Sequence, residues 1–192
     1  MRDKLPAAQY RIAGIPKAFR GQYLDEIVPL NEEQRQCIEK MMDIERCNHW
    51  ALAVLGTVGN GKTTLACSLL ALHEYYQAWS TVYATQDGIV EDCRASFSEG
   101  GKSEAETLNR YRLAGLLVID ELNTANWTDY AKSLIQKILV YRHSNGLRTV
   151  LIGNLDPETF RAMFDDHVIS RLREGLRQVM SAPDMRLQGG GF

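Results

Sequence analysis

The 192-residue sequence predicts an α/β protein, a five-stranded parallel sheet sandwiched by helices. Three observations predict it. Five short apolar runs, Ala51–Leu55, Thr81–Thr85, Leu116–Asp120, Thr149–Gly153 and Leu176–Ser181, are rich in Val, Ile and Leu. They are nearly continuous rather than alternating, as strands covered on both faces are. Longer helical stretches separate them, near 62–78, 87–97, 103–113, 127–144 and 157–174, and strand–helix alternation at this spacing builds parallel sheets. Finally, the turn after the first run is rich in glycine, the local chemistry of a phosphate cradle.

The elements follow in order. Residues 1–30 form a lead-in segment whose first 20 residues are mildly basic, with Arg2, Lys4, Arg11, Lys17 and Arg20 against Asp3. Pro6 and Pro16 keep it from being one helix. A single domain then spans 31–183. Asn31 is its first N-cap, Glu32 and Glu33 suit the first turn, and Gln34 completes a capping box. Cys37, Ile38, Met41 and Met42 give that helix an apolar face. Asp156-Pro157 reads as an N-cap followed by proline at the first helical position, and Gly175 as the helix stop. Residues 184–192, closing on Gly189-Gly190-Gly191-Phe192, read as a flexible tail.

Composition narrows the class. With 45% hydrophobic residues the chain can bury its own core. Lys+Arg 22 against Asp+Glu 24 gives a net charge of −2, so any contact with nucleic acid is local. No apolar run approaches the roughly 20 residues of a membrane span, and MRDKLPAAQYR lacks a secretory core. Cys37, Cys47, Cys67 and Cys93 form no C-x-x-C pair and have no histidine at ligand spacing. Reduced thiols and a cytoplasmic location follow as the expectation.

Gly56-Thr57-Val58-Gly59-Asn60-Gly61-Lys62-Thr63-Thr64 matches G-x-x-x-x-G-K-[ST] in full. Composition alone would produce such a match in a chain of this kind roughly 0.4 per cent of the time, and this one also falls between a strand and a helix. Glycines let successive amides turn toward phosphate oxygens, and the helix that follows adds its positive end. The reading is a P-loop nucleotide triphosphate site. Lys62 neutralises the β and γ oxygens and Thr63 holds Mg²⁺. The third run ends in Asp120-Glu121. A buried strand ending in a carboxylate beside the loop supplies the metal-side acid, Asp120, while Glu121 polarises the attacking water. Asn154, at the end of the fourth strand, faces the γ-phosphate if that strand lies between the other two.

Arg171, Arg173 and Arg177 follow on and after the last helix. They read either as transition-state stabilisers, in this subunit or a neighbour's, or as a solvated face paired with Glu174, Asp165 and Asp166. A small-molecule kinase also carries clustered arginines before its last strand. The Asp120-Glu121 pair favours hydrolysis instead.

GTVGNGKTT, LLVIDEL, TVLIGN and HVISRLRE together resemble the AAA+ ATPases of the DnaC helicase-loader and IstB transposition-helper group. SFSEGGKSEAETLN, residues 96–109, is most similar to the DnaC loaders, and AGIPKAFRGQYLDEI, residues 13–27, to the segment preceding their ATPase core. The resemblance covers roughly residues 12 to 181 and implies an AAA+ core without a C-terminal lid domain. Arg186 does not supply a lid arginine. The resemblance further implies that Arg171 is an arginine finger acting in trans and Asn154 a sensor. The catalytic set is then Glu121, Lys62, Asn154 and Arg171. The helix near 87–97 lies where this group shapes a spiral assembly and lines a channel for single-stranded DNA. Phe97, Arg94 and Lys102 are the candidate DNA contacts, Phe97 being equally readable as core. Ile12, Phe19 and Tyr23 are candidates to pack beside the adenine.

The resemblance implies an ATP- and Mg²⁺-dependent ATPase, slow in isolation, that self-associates on single-stranded DNA as a helicase loader. The chain before residue 12 is shorter than the N-terminal partner domain by which such loaders grip the replicative helicase, so that contact is expected elsewhere. The alternatives are an IstB-like transposition helper and a nucleotide-gated adaptor that does not hydrolyse.

Overall fold

The computed structural model describes residues 5–46, 48–77, 80–97 and 103–182. A short helix α1 (Ala7–Ile12) fits between the two prolines, and 3₁₀ turns at Lys17–Phe19 and Leu24–Glu26 follow. Then come α2 (Glu32–Glu45), β1 (Ala51–Gly56), α3 (Lys62–Gln77), β2 (Thr81–Thr85), α4 (Gln86–Ala95) and α5 (Glu104–Arg112). The chain continues through β3 (Leu116–Leu122), α6 (Asp129–Ser144), β4 (Arg148–Gly153), α7 (Pro157–Ala162), α8 (Asp166–Leu172) and β5 (Leu176–Met180).

The five strands form one sheet in the order β2-β3-β4-β1-β5, every pair parallel. Alternate residues of the first four strands serve opposite cores, while β5 faces only the first. Leu52, Val54, Val118, Val150 and Ile152 meet α2, α3 and the lead-in segment on one face. Ala53, Leu55, Leu117, Ile119 and Leu151 meet α4 to α8 on the other. The near-continuous apolar runs of β1, β3 and β4 are thereby explained, since both their faces are covered, whereas edge strand β5 leaves Arg177 and Val179 exposed. Each enclosed Leu or Val side chain contributes about 2 kcal/mol of transfer free energy. The lead-in segment is built into the first core through Tyr10, Ile15, Tyr23 and Leu24.

The structure corrects three local expectations. The helix expected over 157–174 is two helices. Their junction is held by Trp127, just before α6, whose Nε1 donates to Met163 O at 2.7 Å, and by Gln136 of α6, which accepts the Asp165 N–H at 3.0 Å. These side chains take up backbone groups that a continuous helix would use internally. Gly175 is needed for contact rather than for a left-handed turn, because a Cβ there would lie 2.5 Å from Ala51 O. At α2, Asn31 accepts the Gln34 N–H as expected, at 2.9 Å. The Gln34 carboxamide, however, reaches past Asn31 to accept the Leu30 N–H and donates to Asn60 O. At α5 a full capping box does form, between Ser103 and Glu106.

Strand β3 runs two residues beyond the expected end, through a bulge. Ile119 pairs with Leu151 and Leu122 with Gly153, so Asp120 and Glu121 together oppose one residue of β4. Glu121 sits at φ 57, the one described non-glycine residue in the left-handed region. Such a residue is rare away from functional sites.

Candidate nucleotide site

The loop from Gly56 to Gly61 leaves β1 at the carboxyl edge of the sheet and enters α3. Gly56, Gly59 and Gly61 all have positive φ, at 127°, 82° and 87°, so their amides turn as no side-chain-bearing residue readily allows. The loop is anchored from outside. Thr57 N–H donates to Met180 O at 3.1 Å, and fully buried Asn60 donates its side-chain amide to the same carbonyl. Glu33 accepts from the Ser181 hydroxyl and from the amides of Ser181 and Ala182. The Ser181 hydroxyl is the main reason the Glu33 carboxyl is held below the usual range. Helix α2 therefore fastens both the loop and the end of β5.

Lys62 begins α3 and folds back over the loop. Its ammonium donates to Gly56 O at 3.3 Å, to Asn60 Oδ1 at 3.0 Å and to Thr57 O. Burial lowers its pKa, while nearby Asp120 pulls it upward. A phosphate oxygen would offer this ammonium a better partner than neutral carbonyls, since ionised acceptors make the stronger bonds.

Thr63 Oγ1 donates to Asp120 Oδ2 at 2.8 Å, joining the two motifs directly. Asp120 is 2% exposed, and its other oxygen accepts the Glu121 N–H at 2.6 Å. Glu121, turned outward by the bulge, lines a cavity of about 250 Å³ together with Lys62, Thr63, Asp120, Asn154 and Phe19. Gly61 and Thr64 also line an adjoining cavity of about 440 Å³ walled by Tyr23, Ile27, Val28 and Leu30. A polar cavity beside an apolar one suits a triphosphate and its base.

The donor set fits MgATP. A hydroxyl and a carboxylate are the hard oxygen groups Mg²⁺ takes beside phosphates and water. Among the described residues no cluster of three or more His, Cys, Asp or Glu could hold a metal by itself.

The model of the family described as IstB-like ATP binding protein matches residues 32–172. The chain belongs to that family. The replicative helicase loader DnaC of Escherichia coli (strain K12) is 30% identical over 123 residues, covering 62% of this chain and 49% of that one. The chain thus spans about half the length of the curated relatives it matches. Among solved structures, the DnaC helicase loader superimposes with a TM-score of 0.73 at 20% identity, over 86% of this chain and 100% of that one. A replication initiator DnaA bound to AMPPCP and single-stranded DNA gives 0.73 at 16% identity, over 88% and 51%. At these identities the likeness is one of fold, and the fold is that of an AAA+ P-loop core.

Not every residue singled out in this IstB-like chain reaches the cavities. Ile12 is 73% exposed and lines neither, Phe19 lines the polar cavity, and of the three base-side candidates only Tyr23 lines the apolar one. Arg171 stands away from the phosphate cavity, its guanidinium on His167 O at 2.8 Å and its carbonyl accepting from Trp50. Of the three acids expected to neutralise the arginines, Asp165 pairs with Lys132 and Glu174 with His143. Arg173 and Arg177 share a groove of about 360 Å³ with Arg161 over Phe160, Ile169 and Leu172. Phe97 is 69% exposed, which overturns the core reading. Arg94 lies over the Tyr130 ring at 6.0 Å. Lys102 lies outside the described residues, as does the expected tail at 184–192. Among the described residues no helix is long and apolar enough to cross a membrane. Two contacts at the site were not foreseen from the sequence: that of Gln34, expected only as a capping residue, which links the base-side loop to Asn60, and that of Tyr83, whose hydroxyl reaches Asp120.

Proposed function

We propose that this chain is a Mg²⁺-dependent ATPase whose nucleotide state controls self-association and grip on single-stranded DNA, in the manner of a replicative helicase loader. The observation that carries the reading is the Thr63–Asp120 contact at 2.8 Å, with Glu121 and Asn154 on the same cavity wall. Bound Mg²⁺ would supply charge neutralisation to the β- and γ-phosphate oxygens. The other roles belong to the chain. Lys62 leaves its loop carbonyls for phosphate oxygens, and the loop amides fix the triphosphate. Glu121 orients and polarises the attacking water. The Asn154 amide donates to the γ-phosphate.

Arg171 serves a neighbouring subunit. This is supported by its place outside its own cavity and by the absence of a carboxylate partner among the described residues. A lone subunit then turns over slowly. Arg94 and exposed Phe97 are the DNA-facing pair, offering phosphate neutralisation and stacking. A replicative helicase is the intended partner, in keeping with the similarity to the replicative helicase loader DnaC.

Glu121→Gln tests the core of this reading. ATP should still bind, while hydrolysis falls at least about 100-fold, the lower end for loss of a general base. Unchanged turnover would leave a nucleotide-gated adaptor. The IstB-like family match favours a second reading, a transposition helper. It predicts that duplex DNA rather than single strands stimulates assembly, which sizing with an ATP analogue and each DNA distinguishes.

A further inference from the structure

We propose that Tyr83 is a positioning residue for the metal-side carboxylate, and that the lead-in segment holds this tyrosine in place. The inference rests on the MgATP reading above and adds a determinant of how tightly the magnesium is held.

Asp120 Oδ2 accepts two hydroxyls, Thr63 Oγ1 at 2.8 Å and Tyr83 OH at 3.0 Å. With the Glu121 N–H on Oδ1, the buried carboxylate is held from three directions, and its rotation about the side-chain torsions is blocked. Thr63 is itself a candidate magnesium ligand, and Glu121 sits in a bulge that bends. Tyr83 is therefore the donor that stands outside the reacting groups.

Strand register explains how it arrives there. Tyr83 pairs with Val118 and Thr85 with Asp120, so Tyr83 and Asp120 share one face and the long phenol spans the two-residue offset. Its ring packs in the core below α3, a task phenylalanine would perform equally well. The hydroxyl is the informative atom, since a buried phenol costs free energy unless its O–H is bonded. Burial, followed by the Asp120 charge, pushes its pKa well above the ordinary tyrosine value, so it remains a neutral donor.

β2 is an edge strand, and the lead-in segment covers that edge at this residue. Tyr83 N–H donates to Ala13 O at 2.7 Å. Gly14, at φ +75, lies so close that a Cβ would approach Tyr83 O to 2.7 Å. The backbone of residue 83 is thus clamped between β3 and residues 13–14.

The test is the magnesium dependence of binding of a fluorescent ATP analogue to the full chain. Each variant's affinity in Mg²⁺ is divided by its own affinity in EDTA, so a general loss of structure cancels. Tyr83→Phe should lower this ratio about tenfold, the lower end for loss of an outer partner to a metal ligand. A ratio within twofold of wild type overturns the proposal. If Tyr83→Phe melts below the assay temperature, Gly14→Ala, which pushes on Tyr83 through its backbone, takes its place with the same two outcomes. Asp120→Asn separates this proposal from the reading beneath it. If that variant also leaves the ratio unchanged, the magnesium site itself is wrong. If it alone lowers the ratio, only the tyrosine's part falls.

Discussion

Lys62 shows how a single residue is prepared for a ligand at a cost to the fold. The residue is 5% exposed, its ammonium rests on neutral acceptors, and burial lowers its pKa. A lysine whose folded pKa lies below its unfolded value destabilises the fold wherever it is charged in both states. That penalty is present at neutral pH and fades as pH rises from the folded pKa toward the unfolded one. Lys62→Met keeps the stem and removes the charge. In calorimetry at pH 7 it should melt no lower than wild type. Its ATP affinity should fall roughly 100-fold, the equivalent of the 2–3 kcal/mol carried by bonds to a charged group. A lower melting temperature would mean that the ammonium's bonds to the loop matter for folding itself.

At the scale of elements, the glycines that look alike in the sequence divide by what surrounds them. Gly56 combines φ 127 with a virtual Cβ only 2.0 Å from Met180 O, so Gly56→Ala must separate β1 from β5. Gly146 has φ 62 and open space around it. Urea melts should show Gly56→Ala destabilised by about 3 kcal/mol or more and Gly146→Ala by about 1 kcal/mol. Equal losses would contradict the packing account.

The same distinction explains what could be read from the chain alone. The five strands and most helices were legible because two-sided burial, N-caps and the G-x-x-x-x-G-K-T spacing are local signals. The break at 163–165 was not, because Trp127 and Gln136, in and just before α6, impose it from a distance. Nor was the bulge at Asp120-Glu121, whose cause lies in pairing with β4. Phosphate-loop residues announce themselves by spacing. Tyr83 and Gln34 act through partners 37 and 26 positions away, and only the strand register could have pointed to the tyrosine.

For the whole molecule, the proposal that Arg171 serves a neighbouring cavity predicts that activity is a property of pairs. Arg171→Ala should reduce turnover on the order of 1,000-fold while leaving ATP analogue binding intact. Mixing it with Lys62→Met should restore part of the rate, because one chain then supplies an intact cavity and the other an intact arginine. Failure of the mixture to recover would place Arg171 outside the reaction.

The most direct measurement is a crystal structure of the chain with Mg²⁺ and a non-hydrolysable ATP analogue. The account predicts one metal at about 2.1 Å from Thr63 Oγ1, the Asp120 carboxylate beside it, and the Lys62 ammonium moved from Thr57 O to the phosphates. A triphosphate seated elsewhere, or Lys62 still folded on its own loop with the nucleotide bound, would contradict it.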